Sequence, residues 1–271
     1  MRTLTIAALA LGVAALAAVS PAHAGKQDFT VPVTEPAPAT LYAEMYTPSG
    51  PGPYPTVLLM HGCGGVSPNV PAWAVWLQSQ GYAAVVLNSF SGRNIRNLCG
   101  DSKPLLPEVR VNDAYAAVAR LKTMGAVDSA RIAVMGFSHG GSTSVRSWAA
   151  QARHPNEQVR AFVAFYPGCR IRLPKVDAKP LLVLIGGKDD WSPPEPCEEL
   201  AKNAEKAGLP LTFVLYPEAR HHFDGAENRR IVYSTVARGG KGASLAYDPA
   251  AHEDSEKQVK KFLAEHLRPS R

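Results

Sequence analysis

A serine stands between two glycines in Gly136-Phe137-Ser138-His139-Gly140, directly after the apolar run Arg131 to Met135. A strand that runs into G-x-S-x-G and continues as a helix makes a sharp, strained turn. The glycines let the chain reverse, and the serine oxygen is left exposed at the strand's end. Such a hydroxyl can attack a carbonyl, provided that a base takes its proton and a carboxylate orients the base. On an elbow of this kind the chain order is serine, acid, histidine. The run Leu181 to Ile185 ends in Gly186-Gly187-Lys188-Asp189-Asp190, and the run Leu211 to Leu215 leads on to His221-His222-Phe223. Sites on open parallel sheets lie at such carboxyl edges. Adjacent residues point apart, so one member of each pair is expected to face Ser138. Asp189 is the preferred acid over Asp190, and His221 the preferred base over His222. His61 precedes the nucleophile and reads as structural. His139 is expected to serve through its backbone, while His154, His252 and His266 fall on helices or in loops.

The charge that develops on an attacked carbonyl oxygen needs N–H donors. One is expected from His139, the residue after the nucleophile. The other is expected from the loop His61-Gly62-Cys63-Gly64-Gly65, with Cys63 the preferred donor. The glycines there allow the backbone to approach a substrate closely. Trp191 and Phe137 are candidate pocket walls. No CxxC occurs, and neither a metal nor a cofactor is predicted.

These residues need a scaffold, and the apolar segments alternate in kind. Strands are predicted over Thr40 to Tyr46, Thr56 to Met60, Tyr82 to Leu87, Arg131 to Met135, Ala161 to Phe165, Leu181 to Ile185 and Leu211 to Leu215. Helices are predicted over Asn69 to Gln80, Glu108 to Met124 and Pro194 to Ala207, with a last helix opening at Asp248-Pro249, a favourable cap and first residue. Short β-rich runs between longer helical ones predict an α/β fold: a mainly parallel sheet with helices on both faces. The Pro-rich stretch Gly25 to Ala39 reads as a loose arm or an edge strand. Residues Pro167 to Lys179 leave no room for a large cap domain, and Asp224 to Tyr247 is a candidate mobile flap.

The chain has 271 residues, of which 46% are hydrophobic and 19% charged, the balance of an ordinary globular protein. A formal charge of +6 spread over this length gives no concentrated basic face, which argues against nucleic acid as a partner. The start reads as a signal peptide over residues 1–24. Arg2 is followed by an uncharged run from Ile6 to Val19 and then by Ala22-His23-Ala24. The run is too short for a membrane anchor. A single domain is expected over residues 25–271, periplasmic or secreted, with no stable membrane anchor after cleavage. All four cysteines (Cys63, Cys99, Cys169 and Cys197) lie in that mature part, so two disulfides are expected. Four cysteines allow three pairings. Their places after strand ends favour Cys63–Cys99 and Cys169–Cys197, bridges that would hold catalytic loops in place.

From about Leu41 to Leu267 the sequence resembles the dienelactone hydrolase family of α/β-hydrolases. The resemblance is carried by His61-Gly62-Cys63-Gly64-Gly65, Asn88-Ser89-Phe90 with Arg93, Gly136 to Gly141, Tyr166-Pro167-Gly168-Cys169, Asp189-Asp190-Trp191, and Tyr216-Pro217 through His221 to Phe223. It implies the α/β-hydrolase fold and places nucleophile, acid and base at Ser138, Asp189 and His221. In exported relatives, it implies, the cysteine positions recur beside these motifs. Dienelactone hydrolase itself uses a cysteine nucleophile with a nearby glutamate. Here serine stands at the nucleophile, Gly62 in the glutamate's slot, and Asn88 where relatives often have Asp. Those departures favour a serine esterase on the same scaffold, acting on a small-molecule ester or lactone through an acyl-enzyme. Two competing readings are a non-catalytic exported binding protein and a peptidase of the same fold. The intact serine–acid–histidine order argues against the first, and the lack of a propeller or other gating domain against the second.

Overall fold

The computed structural model describes residues 24–174, 178–226, 231–232 and 242–267. The expected signal peptide therefore lies outside the described residues up to its last position, as does most of the candidate flap. The strands are β1 (Gly25–Val33), β2 (Ala39–Thr47), β3 (Tyr54–Met60), β4 (Ala83–Asn88), β5 (Val127–Phe137), β6 (Ala161–Phe165), β7 (Leu181–Gly186) and β8 (Leu211–Tyr216). They form one sheet in the order β1-β2-β4-β3-β5-β6-β7-β8. Pairing is parallel from β4 through β8, and antiparallel between β1 and β2 and between β2 and β4. The helices are α1 (Asn69–Ser79), α2 (Pro107–Leu121), α3 (His139–Ala150), α4 (Glu195–Lys206) and α5 (Pro249–His266). A short pair, β9 (Ile231–Val232) with β10 (Ala243–Ser244), stands apart from the main sheet. This is the α/β-hydrolase arrangement: a mainly parallel sheet with helices on both faces.

Burial follows from where each strand sits. β6 and β7 are buried at every residue, because helices cover both of their faces. β1 alternates buried and exposed residues from Phe29 onward, as an antiparallel edge strand with one wet face should. The Pro-rich start is thus an edge strand, paired with β2 along its whole length. α1 and α5 meet where Trp73 approaches His252, with ring centroids 5.9 Å apart. α2 and α3 are joined by the Tyr115 hydroxyl, which donates to the Ser147 carbonyl at 2.7 Å. The connection from β6 to β7, residues 166–180, is too short for a folded cap.

Two boundaries differ from expectation for local reasons. β5 begins at Val127, where it pairs with Tyr54 across a register shift. Its start is disguised in sequence by Asp128, whose carboxylate accepts from the Ala130 N–H and the Arg131 Nε. α2 stops at Leu121 rather than Met124. Thr123 and Met124 donate three residues back, which tightens the chain out of the helix.

The strand order places the site. From β3 the chain moves outward to β4, then returns to the other side of β3 as β5. The loops after β3 and β5 therefore leave adjacent strands at the point where the order reverses, the usual crevice for a ligand in such sheets. There the backbones touch. A Cβ on Gly140 would lie 2.0 Å from the Met60 carbonyl oxygen, and one on Gly136 would lie 2.0 Å from that of Gly140. Both clashes are with backbone, which has little room to yield. We expect Gly140→Ala to destabilise the fold by about 1–3 kcal/mol, read as a lower urea midpoint at unchanged slope.

Candidate active site

Ser138 sits at the turn from β5 into α3 with φ 53° and ψ −112°, a strained conformation for a residue with a side chain. Tyr166, at the end of the neighbouring β6, is also at positive φ (38°). The Ser138 N–H donates to the Phe165 carbonyl at 3.0 Å, and its own carbonyl accepts from the Ser142 N–H at 2.7 Å. The turn is thereby bonded on both sides while the side chain remains half-exposed at its tip.

His221 lies between Ser138 and Asp189. Its Nε2 is 2.9 Å from the Ser138 Oγ, and its Nδ1 is 2.7 Å from the Asp189 Oδ2. Since a carboxylate accepts, Nδ1 carries the proton, and Nε2 is free to accept from the serine hydroxyl. The other Asp189 oxygen accepts from the N–H groups of Trp191 (2.9 Å) and Ser192 (2.8 Å), which fixes the carboxylate on its loop. Asp189 and His221 are both buried. The pair is therefore shielded from water on the side away from Ser138.

The alternatives to each preferred residue are directed elsewhere. Asp190 accepts from the Ser244 N–H at 2.8 Å, tying the acid's loop to β10. His222 takes φ 60° and meets the Tyr166 ring edge-on at 5.9 Å. His61 is buried as a structural residue. Its Nδ1 donates to the Gly62 carbonyl at 2.7 Å, and its Nε2 accepts from the Ser89 N–H at 3.1 Å. Burial, reinforced by the Arg110 guanidinium, pushes its pKa well below the usual histidine value.

Aromatic rings enclose the imidazole of His221. Trp191 stacks on it at 5.3 Å between centroids, and Tyr166 meets it edge-on at 4.6 Å. Trp191 is half-exposed and thus remains a wall of the site. Phe137 does not. It is only 2% exposed and packs against Trp73 and Phe165, because the residue before Ser138 on the strand end points into the core.

Cys63 lies on the loop after β3, and His139, next to the serine, is the first residue of α3. A Cβ on Gly62 would lie 3.7 Å from the Ser138 Cβ, so the loop after β3 runs directly past Ser138. Cys63 is bonded to Cys99, and Cys169 to Cys197. The Leu98 N–H also donates to the Cys63 carbonyl at 2.8 Å. The first bridge fastens the loop after β3 to the segment between β4 and α2. The second fastens the chain after β6 to α4, just beyond the Asp189 loop.

Two features lie outside the sequence reading. Asp224 is buried with its carboxylate among three donors: Asn69 Nδ2 at 3.0 Å, Trp73 Nε1 at 2.8 Å and the Tyr166 hydroxyl at 2.8 Å. It anchors the chain just after His221 to α1 and β6. The other is Arg110, fully buried beneath the loop after β3, where it donates to the His61 carbonyl. A helical stripe of Arg110, Ala114, Ala117 and Leu121 was the available signal, since it sets a guanidinium on the core face of α2. Among the described residues no group of His, Cys, Asp and Glu is arranged to hold a metal ion.

Residues 41–267 match the dienelactone hydrolase family. A Methylorubrum extorquens protein provisionally named carboxymethylenebutenolidase is 30% identical over 65% of this chain and 65% of its own length. The chain thus spans just under two thirds of that relative. The carboxymethylenebutenolidase of Rhodococcus opacus is 27% identical over 75% of this chain and 82% of its own. Among solved structures, the dienelactone hydrolase of Anabaena variabilis superposes with a TM-score of 0.66. Its identity is 18%, over 91% of this chain and 100% of that one, a likeness of fold. With a match over most of its length and a sheet of the same design, the chain belongs to the dienelactone hydrolase family, and that membership points to a hydrolase.

Proposed function

We propose that the protein is a serine hydrolase of carboxylic esters or lactones, with Ser138 as nucleophile, His221 as base and Asp189 as orienting acid. The observation that carries this reading is the double engagement of His221: Ser138 Oγ at 2.9 Å on one nitrogen and Asp189 Oδ2 at 2.7 Å on the other. An imidazole held in this tautomer can take a proton only at Nε2, the nitrogen that faces the serine. Membership of the dienelactone hydrolase family supports an ester or lactone as the substrate class.

In this reading the reaction has two steps. Ser138 Oγ attacks the substrate carbonyl as His221 Nε2 takes its proton. Negative charge moves to the carbonyl oxygen, which rests on the N–H groups of His139 and Cys63. His221 then gives the proton to the departing alkoxide, which leaves an acyl group on Ser138. Water, deprotonated by the same nitrogen, attacks the acyl carbon and releases the acid. Asp189 stays ionised throughout and steadies the imidazolium. The two disulfides, and the lack among the described residues of any helix long and apolar enough to cross a membrane, support a periplasmic or secreted enzyme.

The test is hydrolysis of p-nitrophenyl acetate followed by a panel of esters and lactones. Ser138→Ala should abolish turnover and labelling by a fluorophosphonate probe; activity that survives this change would rule the reading out. Asp189→Asn should bind substrate normally but lower kcat by about 10⁴-fold, through loss of the correct tautomer.

The disulfides yield a separate expectation. Each closes a loop, of 36 and 28 residues respectively, and should stabilise the fold by about 3.5–4 kcal/mol on chain-entropy grounds. The Cys63–Cys99 bridge should also hold the loop that supplies the Cys63 N–H. Mild reduction, followed by near-UV circular dichroism and activity together, should lower kcat before the tertiary signal is lost. A fully reduced, still folded protein of unchanged activity would limit the bridges to stability.

A further inference from the structure

Arg110 has no solvent exposure, yet only one of its three side-chain nitrogens has hydrogen-bond partners among the described residues. Nη1 lies 2.9 Å from the His61 carbonyl oxygen and 2.9 Å from the Nδ1 of His139. Nε and Nη2 have no partner. The neighbouring carboxylate, Asp113, does not pair with it. Both Asp113 oxygens accept from Arg93, at 2.7 Å each. The ring of Phe90 faces the guanidinium at 5.8 Å. Arg93, Arg110 and Asp113 together thus carry two positive charges and one negative, in a place where a buried charge is costly unless it is paired.

The position is unfavourable for stability alone. Arg110 lies in the first turn of α2, where a cation opposes the helix dipole. Burial lowers its pKa only to about 10, so it remains charged near neutrality. Its two partners, however, belong to the two segments that flank the nucleophile. The His61 carbonyl opens the Gly62-Cys63 loop, and His139 begins α3. Because a guanidinium can only donate, His139 Nδ1 accepts and its proton sits on Nε2. Burial and the adjacent Arg110 hold the His139 pKa at about 3, so this ring stays neutral and the geometry persists across the working range.

We propose that Arg110 is a positioning residue for the oxyanion hole. Through Nη1 it locks the loop of Cys63 to the start of α3, and its charge, bonded to no carboxylate, acts on both donors. The inference rests on the acyl-transfer reading above. A positive charge with no carboxylate bonded to it does most when negative charge appears nearby, and that occurs on the substrate oxygen during attack on Ser138. Arg110 need not touch the substrate; it acts through the two peptide groups that do.

The experiment compares wild type, Arg110→Met and Arg110→Lys on p-nitrophenyl acetate. Rates are normalised to the competent fraction titrated with a fluorophosphonate, and folding is followed by near-UV circular dichroism. A boronic acid, which forms a tetrahedral adduct with an active serine, reports on the oxyanion hole directly. Arg110→Met should lower kcat by about 10–10²-fold with KM within twofold, the mark of an interaction made in the transition state. Boronate affinity should weaken by a similar factor, and Arg110→Lys should recover part of both losses. A folded Arg110→Met enzyme with wild-type kcat, or with its loss confined to KM, would overturn the proposal. If Arg110→Met does not fold, His139→Leu takes its place, since it keeps the peptide N–H and removes the Nη1 acceptor. It should lower kcat by about tenfold, and wild-type kcat would again overturn the proposal. Ser138→Ala separates the two claims. If it retains turnover, the acyl-transfer reading falls; if it is inactive while the Arg110 variants match wild type, only this inference falls.

Discussion

At the carboxyl end of β3 and the start of α3, two stretches of backbone meet with no side chain between them. Gly140 lies against the Met60 and His61 carbonyls, and Gly136 against the carbonyl of Gly140. Any side chain at these positions would push the helix off the strand. The contact sets how far the loop after β3 stands from Ser138. It also sets the N-terminus of α3, the positive end of the helix dipole, directly beside Ser138. The strained φ of Ser138 is sustained by the same contact, since the chain has no other route from strand to helix.

Around that contact the interior is unusually polar. His61, Arg110, Asp113, His139, Asp189, His221 and Asp224 are all buried. Most are fully engaged: Asp113 by Arg93, Asp224 by Asn69, Trp73 and Tyr166, Asp189 by His221 and two N–H groups. Fully satisfied polar groups in a dry interior hold a single geometry, because each alternative arrangement leaves a donor or acceptor bare. The loops of a parallel sheet, which would otherwise be its most mobile parts, are held in this way on the side away from solvent. Arg110 and His139 are the exceptions: Nε and Nη2 of the first and Nε2 of the second have no partner among the described residues.

The bridges add covalent ties, the first half-exposed at the rim and the second buried in the core. Cys63–Cys99 and Cys169–Cys197 each join a loop at the site's rim to a neighbouring segment. A small cluster of Phe90, Leu98 and Leu105 packs under the first, with Cys63 against it. Polar bonds and covalent bonds thus confine the same loops.

Local pattern alone determined the class of fold and the loops that bring Asp189 and His221 to Ser138. Strand periodicity, G-x-S-x-G and chain order are short-range properties, written in adjacent residues. Boundaries such as the start of β5 were hidden where Asp128 imitates a turn. The choice between Asp189 and Asp190, or between His221 and His222, was a preference in sequence. It became a geometry only when Ser244 took Asp190 and the turn at His222 sent that ring toward Tyr166. The roles of Asp224 and Arg110 were not legible. Their partners lie 58, 151 and 155 residues away for Asp224, and 29 and 49 for Arg110. A buried charge is defined by what surrounds it, and what surrounds these two is assembled only when the sheet and its helices close.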